Sequence, residues 1–380
     1  MSDRSAGRPT NPEADVRAED GGDVASGDRD RDRNRNRNRN RNRNRNGGTA
    51  SERDRNGDGA RGLGDGPLSA EAQARLARGV GEHLPHLPDF TDHRAVRAWR
   101  EAIHRAWGEG TVPGEVDHVS GEAGGVPVHL AGPADAALTL VYAHGGGYVL
   151  GSAGVAAPIT ARLARAVRVV SVDYRLAPEH PYPAALDDLT AVYRALTRTG
   201  DATVALAGDS AGGALAAGVA LRMITDGGPR PHALLLLCPH LDHAEHLSPT
   251  DPGTADPSSL TAAYRRRTDP RDPLLSPCHA HPALLAGLPP TLVQSGTADH
   301  LRHQAIRFVR RARSAGAPVE LDLWEGLWHT WQYHRELPEA DRALAEAVTF
   351  LLTHAARPIG PGPGWHRPDP ARSTGVRPPG

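Results

Sequence analysis

The sequence has no lysine: all 44 of its basic residues are arginine, against 45 acidic ones, for a net charge of −1. That balance gives the chain as a whole no long-range pull toward nucleic acid or an anionic membrane. Without lysine, the glycine-rich run Gly208-Asp209-Ser210-Ala211-Gly212-Gly213 cannot be a P-loop, which needs that side chain on the phosphates. Cysteine is nearly absent. Cys238 and Cys278 are too few for a disulfide framework and read as reduced thiols of a cytoplasmic protein. No apolar run reaches the roughly 20 residues of a membrane span. The N-terminal residues lack the apolar core of a signal peptide. No Cys/His spacing of a zinc module is present, so the histidines at 232, 240, 243 and 246 read as a His-rich loop. Neither metal nor other cofactor is expected.

Large apolar residues are also missing from residues 1–66, which hold 15 Arg against 13 Asp plus Glu. Such a segment cannot bury enough surface to offset its ordering entropy, so a disordered low-complexity tail is expected. Within it, 33–46 alternates seven Arg with Asn. It has no interleaved aromatics to stack on bases, and no nucleic-acid partner is expected. Residues 357–380 are rich in Pro and Gly and read as a second loose tail. The remaining 67–356 has the size of one α/β domain.

Two helical patterns open that domain, within 67–112, and suit a small N-terminal cap. Ser69 is placed to cap the first and Thr91 the second, whose apolar face carries Val96, Trp99, Ile103 and Trp107. Strand patterns follow at 115–120 and 126–130, as a hairpin around 121–125. Others lie at 138–143, 168–173, 203–207, 232–238, 291–294 and 319–324. Helical segments at 159–166, 183–197, 214–226, 301–315 and 339–354 separate or follow the later ones. The pattern predicts an α/β fold with an eight-stranded, mostly parallel sheet covered by helices on both faces. The long polar, Pro-rich stretch 239–290 suits a lid or a wall of a site.

The chemistry centres on Gly208-Asp209-Ser210-Ala211-Gly212, a G-x-S-x-G between an apolar strand and a small-residue helix. That context makes Ser210 a nucleophile on a sharp turn, with the helix N-terminus favouring developing negative charge. A serine nucleophile needs oxyanion donors, a base and an acid. His144-Gly145-Gly146-Gly147 ends the third strand, and its unshielded glycine amides can serve with the amide of Ala211. Asp299 follows the strand at 291–294, and His329 follows the strand at 319–324. Strand-end position favours them over His300, His303 and His334 for the base, and over Asp322 and Glu325 for the acid. Asp173, Tyr174 and Arg175 read as structural, an Asp–Arg pair fixing the turn beside the glycine loop.

Together, HGGG at 144–147, GDSAG at 208–212, the run from Val172-Asp173-Tyr174-Arg175 through Pro183-Ala184-Ala185, and Gly287-Leu288-Pro289-Pro290 resemble the hormone-sensitive-lipase-like branch of the α/β hydrolases. The resemblance spans about 117–352. It implies an esterase fold with an N-terminal helical cap. It also implies Ser210 as nucleophile, Asp299 as acid, His329 as base, and an oxyanion hole from Gly145, Gly146, Gly147 and Ala211. Two places depart from it: His300 and His303 stand where a Pro and a second acid are usual, and Gly-Leu-Trp precedes His329. The expected reaction is hydrolysis of a small ester through an acyl-enzyme, without a cofactor. An amidase or N-deacetylase acting on a small metabolite is the alternative, with a ligand-binding relative that has lost catalysis as a second. A homodimer is left open.

Overall fold

The computed structural model describes residues 67–79, 87–107, 119–198, 203–245 and 257–355. The expected tails 1–66 and 357–380, residues 115–118 of the expected first strand, and His246 lie outside them. Two helices come first, α1 (Ala70–Arg78) and α2 (His93–Trp107). Ser69 caps α1, its Oγ accepting from the Ala72 amide at 3.1 Å. Asp92, not Thr91, caps α2: its Oδ1 accepts from the amides of Arg94 and Ala95 at 3.0 Å each. Thr91 is turned away, donating its hydroxyl to Asp89 at 2.8 Å. The carboxylate is the better cap because its charge also meets the positive end of the helix.

The sheet is built from β1 (Val119–Ala123), β2 (Val126–Ala131), β3 (Thr139–Ala143), β4 (Arg168–Val172) and β5 (Val204–Asp209), followed by β6 (Leu234–Leu237), β7 (Thr291–Gly296) and β8 (Val319–Trp324). Helices α3 (Ala157–Leu163), α4 (Ala184–Thr197) and α5 (Ala211–Thr225) alternate with the central strands. Beyond β6 come α6 (Pro257–Arg265), the short α7 (Pro282–Leu285), α8 (Arg302–Ser314) and α9 (Pro338–Ala355). Strand order is β1-β2-β4-β3-β5-β6-β7-β8. β2 pairs antiparallel with β1 and β4, and every other pairing is parallel. The β1–β2 turn is tighter than the expected 121–125. It is Gly124-Gly125 alone, with φ of +60° and +79°, the left-handed backbone a two-residue hairpin turn requires.

Alternate residues of the parallel strands feed two cores. Val141, Leu206, Leu234 and Leu236 belong to one core with residues of α2, α4, α5 and α8, whereas Leu140, Tyr142, Ala205, Leu235 and Leu237 belong to a second with residues of α3 and α9. This is why the strands read as continuous apolar runs. α5 is buried almost all round, and its Ala and Gly residues allow close approach to the sheet. Among the described residues, no helix is long and apolar enough to cross a membrane.

The pairing registers place the C-terminal ends of β3, β5, β6, β7 and β8 along one edge: Ala143 lies opposite Gly208, Asp209 opposite Leu237, and Gly296 opposite Trp324. The two N-terminal helices pack against different loops on that edge. Leu68, ahead of α1, lies on Gly326 after β8, and Ser69 is held by Glu339 of α9 through bonds of 2.7 and 2.9 Å. On α2, Arg100 donates to the Val149 and Ala177 carbonyls, and His104 accepts from the Gly151 amide at 3.0 Å.

Candidate active site

β5 runs two residues past the expected end, through Gly208 and Asp209, and turns straight into α5 at Ser210. Ser210 has φ +50° and ψ −117°, a backbone state that costs a non-glycine residue on the order of 1–3 kcal/mol. The surroundings hold it there. Its amide donates to the Leu237 carbonyl at 2.9 Å, and its carbonyl accepts from His240 at 3.0 Å. The flanking glycines are steric necessities. A Cβ on Gly212 would run into the Ala143 carbonyl, and one on Gly208 into the Gly212 carbonyl. The strained turn therefore rests on β3 and β6.

The loops after β7 and β8 are stitched together. The Thr297 amide donates to the Trp324 carbonyl at 2.9 Å, Ala298 to Leu327 at 3.0 Å, and Gly326 to Thr297 Oγ1 at 2.7 Å. That seam sets Asp299 against His329. Nδ1 of His329 lies 2.9 Å from Asp299 Oδ1, and Nε2 lies 3.0 Å from Ser210 Oγ. With Asp299 ionised, Nδ1–H donates to it, which leaves Nε2 to accept the serine proton. Asp299 Oδ1 also accepts from the Leu301 amide at 2.9 Å, and Oδ2 from Ser295 Oγ at 3.2 Å. Burial pushes this carboxyl up. The charge and hydrogen bond of His329, with the Leu301 amide, outweigh burial and hold it well below the usual carboxylate range.

The competing groups are placed elsewhere. Asp322 Oδ2 accepts from Gln294 at 3.1 Å and Trp324 Nε1 at 2.8 Å. Glu325 is exposed. His334 faces Glu336 at 3.5 Å, and His303 pairs with Glu245 at 2.6 Å. His300 does reach the acid, 3.7 Å from Asp299 Oδ1 with its ring 4.6 Å from that of His329. Burial, then repulsion from His329, push its pKa down to about 3, so it is neutral near pH 7.

The glycine loop narrows the expected donor set. The Gly145 amide is committed to Asp209 Oδ1 at 3.0 Å. Among the described residues, none accepts a hydrogen bond from the amides of Gly146, Gly147 and Ala211. Asp209 is a residue of this site that the sequence did not single out. It is fully buried, accepts from Tyr142 Oη at 2.7 Å as well as from Gly145, and so ties the serine turn to the glycine loop. A lone carboxylate ending an apolar strand was the available signal. Tyr174 holds the same loop from behind, its hydroxyl donating to the His144 carbonyl at 2.7 Å and its ring stacked on that histidine at 4.1 Å. The expected Asp173–Arg175 pair does not form. Arg175 forks onto Asp188 of α4, and Asp173 accepts from the Ala153 amide at 2.6 Å. α6 closes one side: Leu260 lies against Gly147, and Tyr264 stacks on Tyr148 at 4.1 Å.

A family model described as the alpha/beta hydrolase fold matches residues 140–333. An acetyl-hydrolase of Streptomyces hygroscopicus is 40% identical over 229 residues, which cover 57% of this chain and 75% of that protein. A carboxylic ester hydrolase of Mycobacterium tuberculosis is 34% identical over 297 residues, 69% of this chain and 77% of its own. A solved hormone-sensitive lipase from a metagenome library superposes with a TM-score of 0.65 at 30% identity, over 75% of this chain and 97% of that one. The chain belongs to the α/β-hydrolase family, in its hormone-sensitive-lipase-like branch of carboxylic ester hydrolases.

Proposed function

We propose that this chain hydrolyses small carboxylic esters through an acyl-enzyme, with Ser210 as nucleophile, His329 as base and Asp299 as the acid that orients it. One observation carries the reading: an unbroken line from Ser210 Oγ to His329 at 3.0 Å and on to Asp299 at 2.9 Å, across three strand ends. His329 takes the serine proton as Oγ attacks the carbonyl. The resulting imidazolium is stabilised by Asp299 and returns the proton to the leaving alcohol. The amides of Gly146, Gly147 and Ala211 receive the oxyanion. Water then repeats the sequence on the acyl-enzyme and releases the acid. Acetyl esters are the class to test first. The relative from Streptomyces hygroscopicus is named an acetyl-hydrolase, and Leu260 closes over Gly147 beside the proposed oxyanion site. A cytoplasmic setting fits two free, buried thiols.

The test uses Ser210→Ala with p-nitrophenyl acetate and a fluorophosphonate probe. Turnover should fall by about 10⁴ or more while folding persists, and the probe should label wild type at Ser210 alone. Labelling at another residue, with turnover retained in the variant, would refute the assignment.

A further inference from the structure

Cys238 follows β6 immediately and lies behind the proposed catalytic line. Its Sγ, a carboxylate oxygen of Asp299 and an imidazole nitrogen of His329 all lie within 4.8 Å of one another. Asp299 and Cys238 are buried, and His329 is half-buried. The thiol is fixed in place: Sγ accepts from the Thr330 amide at 3.3 Å, and the Cys238 amide donates to the Gln294 carbonyl at 2.7 Å. One sulfur, one nitrogen and one oxygen make a donor set for a borderline or soft divalent cation, not for magnesium or calcium. Metal bonds of about 2.0–2.3 Å in a tetrahedron put the donors about 3.3–3.7 Å apart. The present separations, from 2.9 Å between His329 and Asp299 up to at most 4.8 Å, bracket that range. Small side-chain shifts therefore suffice.

We infer that Cys238, Asp299 and His329 form an inhibitory site for a thiophilic divalent cation such as Zn²⁺ or Cd²⁺. The proton balance explains the inhibition. The thiol gives its proton to solvent and binds as thiolate. Nδ1 of His329, the nitrogen that faces Asp299, binds the cation through its lone pair, so the ring's single proton moves to Nε2. An imidazole protonated at Nε2 cannot accept the proton of Ser210, and Asp299 is at the same time drawn off its hydrogen bond. Binding depends only on the three donors. The loss of activity rests on His329 being the base, as proposed above.

The experiment titrates the full chain with Cd²⁺ in a thiol-free buffer and reads two signals. One is the ultraviolet charge-transfer band of a cadmium–thiolate bond, and the other is turnover of p-nitrophenyl acetate. One equivalent should raise the band and abolish turnover with a shared midpoint, and a chelator should reverse both. Cys238→Ser should lose the band and raise the inhibitory midpoint at least about tenfold, because a hydroxyl is a poor ligand for a soft cation. Cys278→Ser should behave as wild type. Asp299→Asn keeps the thiol and needs no activity to be read. It should shift the band's midpoint upward, and it keeps the test decisive if Cys238→Ser does not fold. A band that follows Cys278, or inhibition of Cys238→Ser at the wild-type midpoint, would overturn the site. A band that follows Cys238 and shifts in Asp299→Asn, with turnover untouched, would overturn the inhibition while keeping the cation site, and would count against His329 as the base.

Discussion

Asp209 offers the most quantitative check on this account, because its carboxyl is fully buried and its partners are known. Burial pushes its pKa from 3.8 up to about 6, and the hydrogen bonds it accepts from Tyr142, Tyr333 and the Gly145 amide keep it from rising further. Between those values the native protein binds more proton than the unfolded chain. Stability from this group is therefore fully present below about pH 3.8 and is lost as pH rises through about 6. At 1.36 kcal/mol per pH unit, the gap amounts to about 3 kcal/mol. Asp209→Asn keeps an acceptor oxygen for Tyr142 and the Gly145 amide, which share Oδ1, but carries no charge, and any change in the Tyr333 bond is independent of pH over this window. The stability of the variant minus that of wild type should rise by about 3 kcal/mol between pH 4 and pH 7 and be level on either side. Urea unfolding at steps across that window measures the difference, and groups that titrate alike in both proteins cancel. A difference that stays flat with pH would refute the reasoning. Asp209→Ala should behave otherwise: it strips this acceptor from the Tyr142 and Tyr333 hydroxyls and the Gly145 amide, at about 1–3 kcal/mol for each buried donor left unpaired.

Asp299→Asn should favour the wrong tautomer of His329 and lower turnover by about 10⁴ near pH 7, whereas Asp322→Asn, which touches Gln294 and Trp324, should lower thermal stability with turnover near wild type. Turnover and melting temperature of the two variants, measured side by side, separate the carboxylates. Asp92→Ala should cost about 1 kcal/mol in urea unfolding through loss of the α2 cap, and Thr91→Ala clearly less, because only Asp92 bonds the amides of that helix.

What was legible in the sequence was whatever a strand end decides. In a parallel sheet, successive strands deliver their C-terminal ends to one edge, so a residue just past an apolar run is placed there whatever its distance along the chain. Ser210, the 145–147 glycines, Asp299 and His329 each stand just past such a run, and the structure brings them to one edge. The same rule set Asp322 aside, because it falls inside the run and its side chain turns to Gln294 and Trp324. Strand extents were less legible. β5 continues through Gly208 and Asp209 because its neighbours β3 and β6 continue pairing there, a fact of register and not of composition.

Partner choice was the part that could not be read. Asp173 and Arg175 are two residues apart and of opposite charge, yet the guanidinium goes to Asp188 of α4, where it bonds both carboxylate oxygens. Asp209 reaches Gly145 across 64 residues, and Cys238 reaches Thr330 across 92. Nothing local marks such contacts, because they depend on which strands pair. The proposed chemistry nevertheless depends on them. The Asp209 bond uses the one glycine amide withheld from the oxyanion, and in doing so fixes the loop that presents the others. A sequence can therefore name the atoms that would react while leaving unread the bonds that hold them in position. The Asp209 and Asp299 substitutions differ in that respect: one should change the support of the site, the other the proton that moves through it.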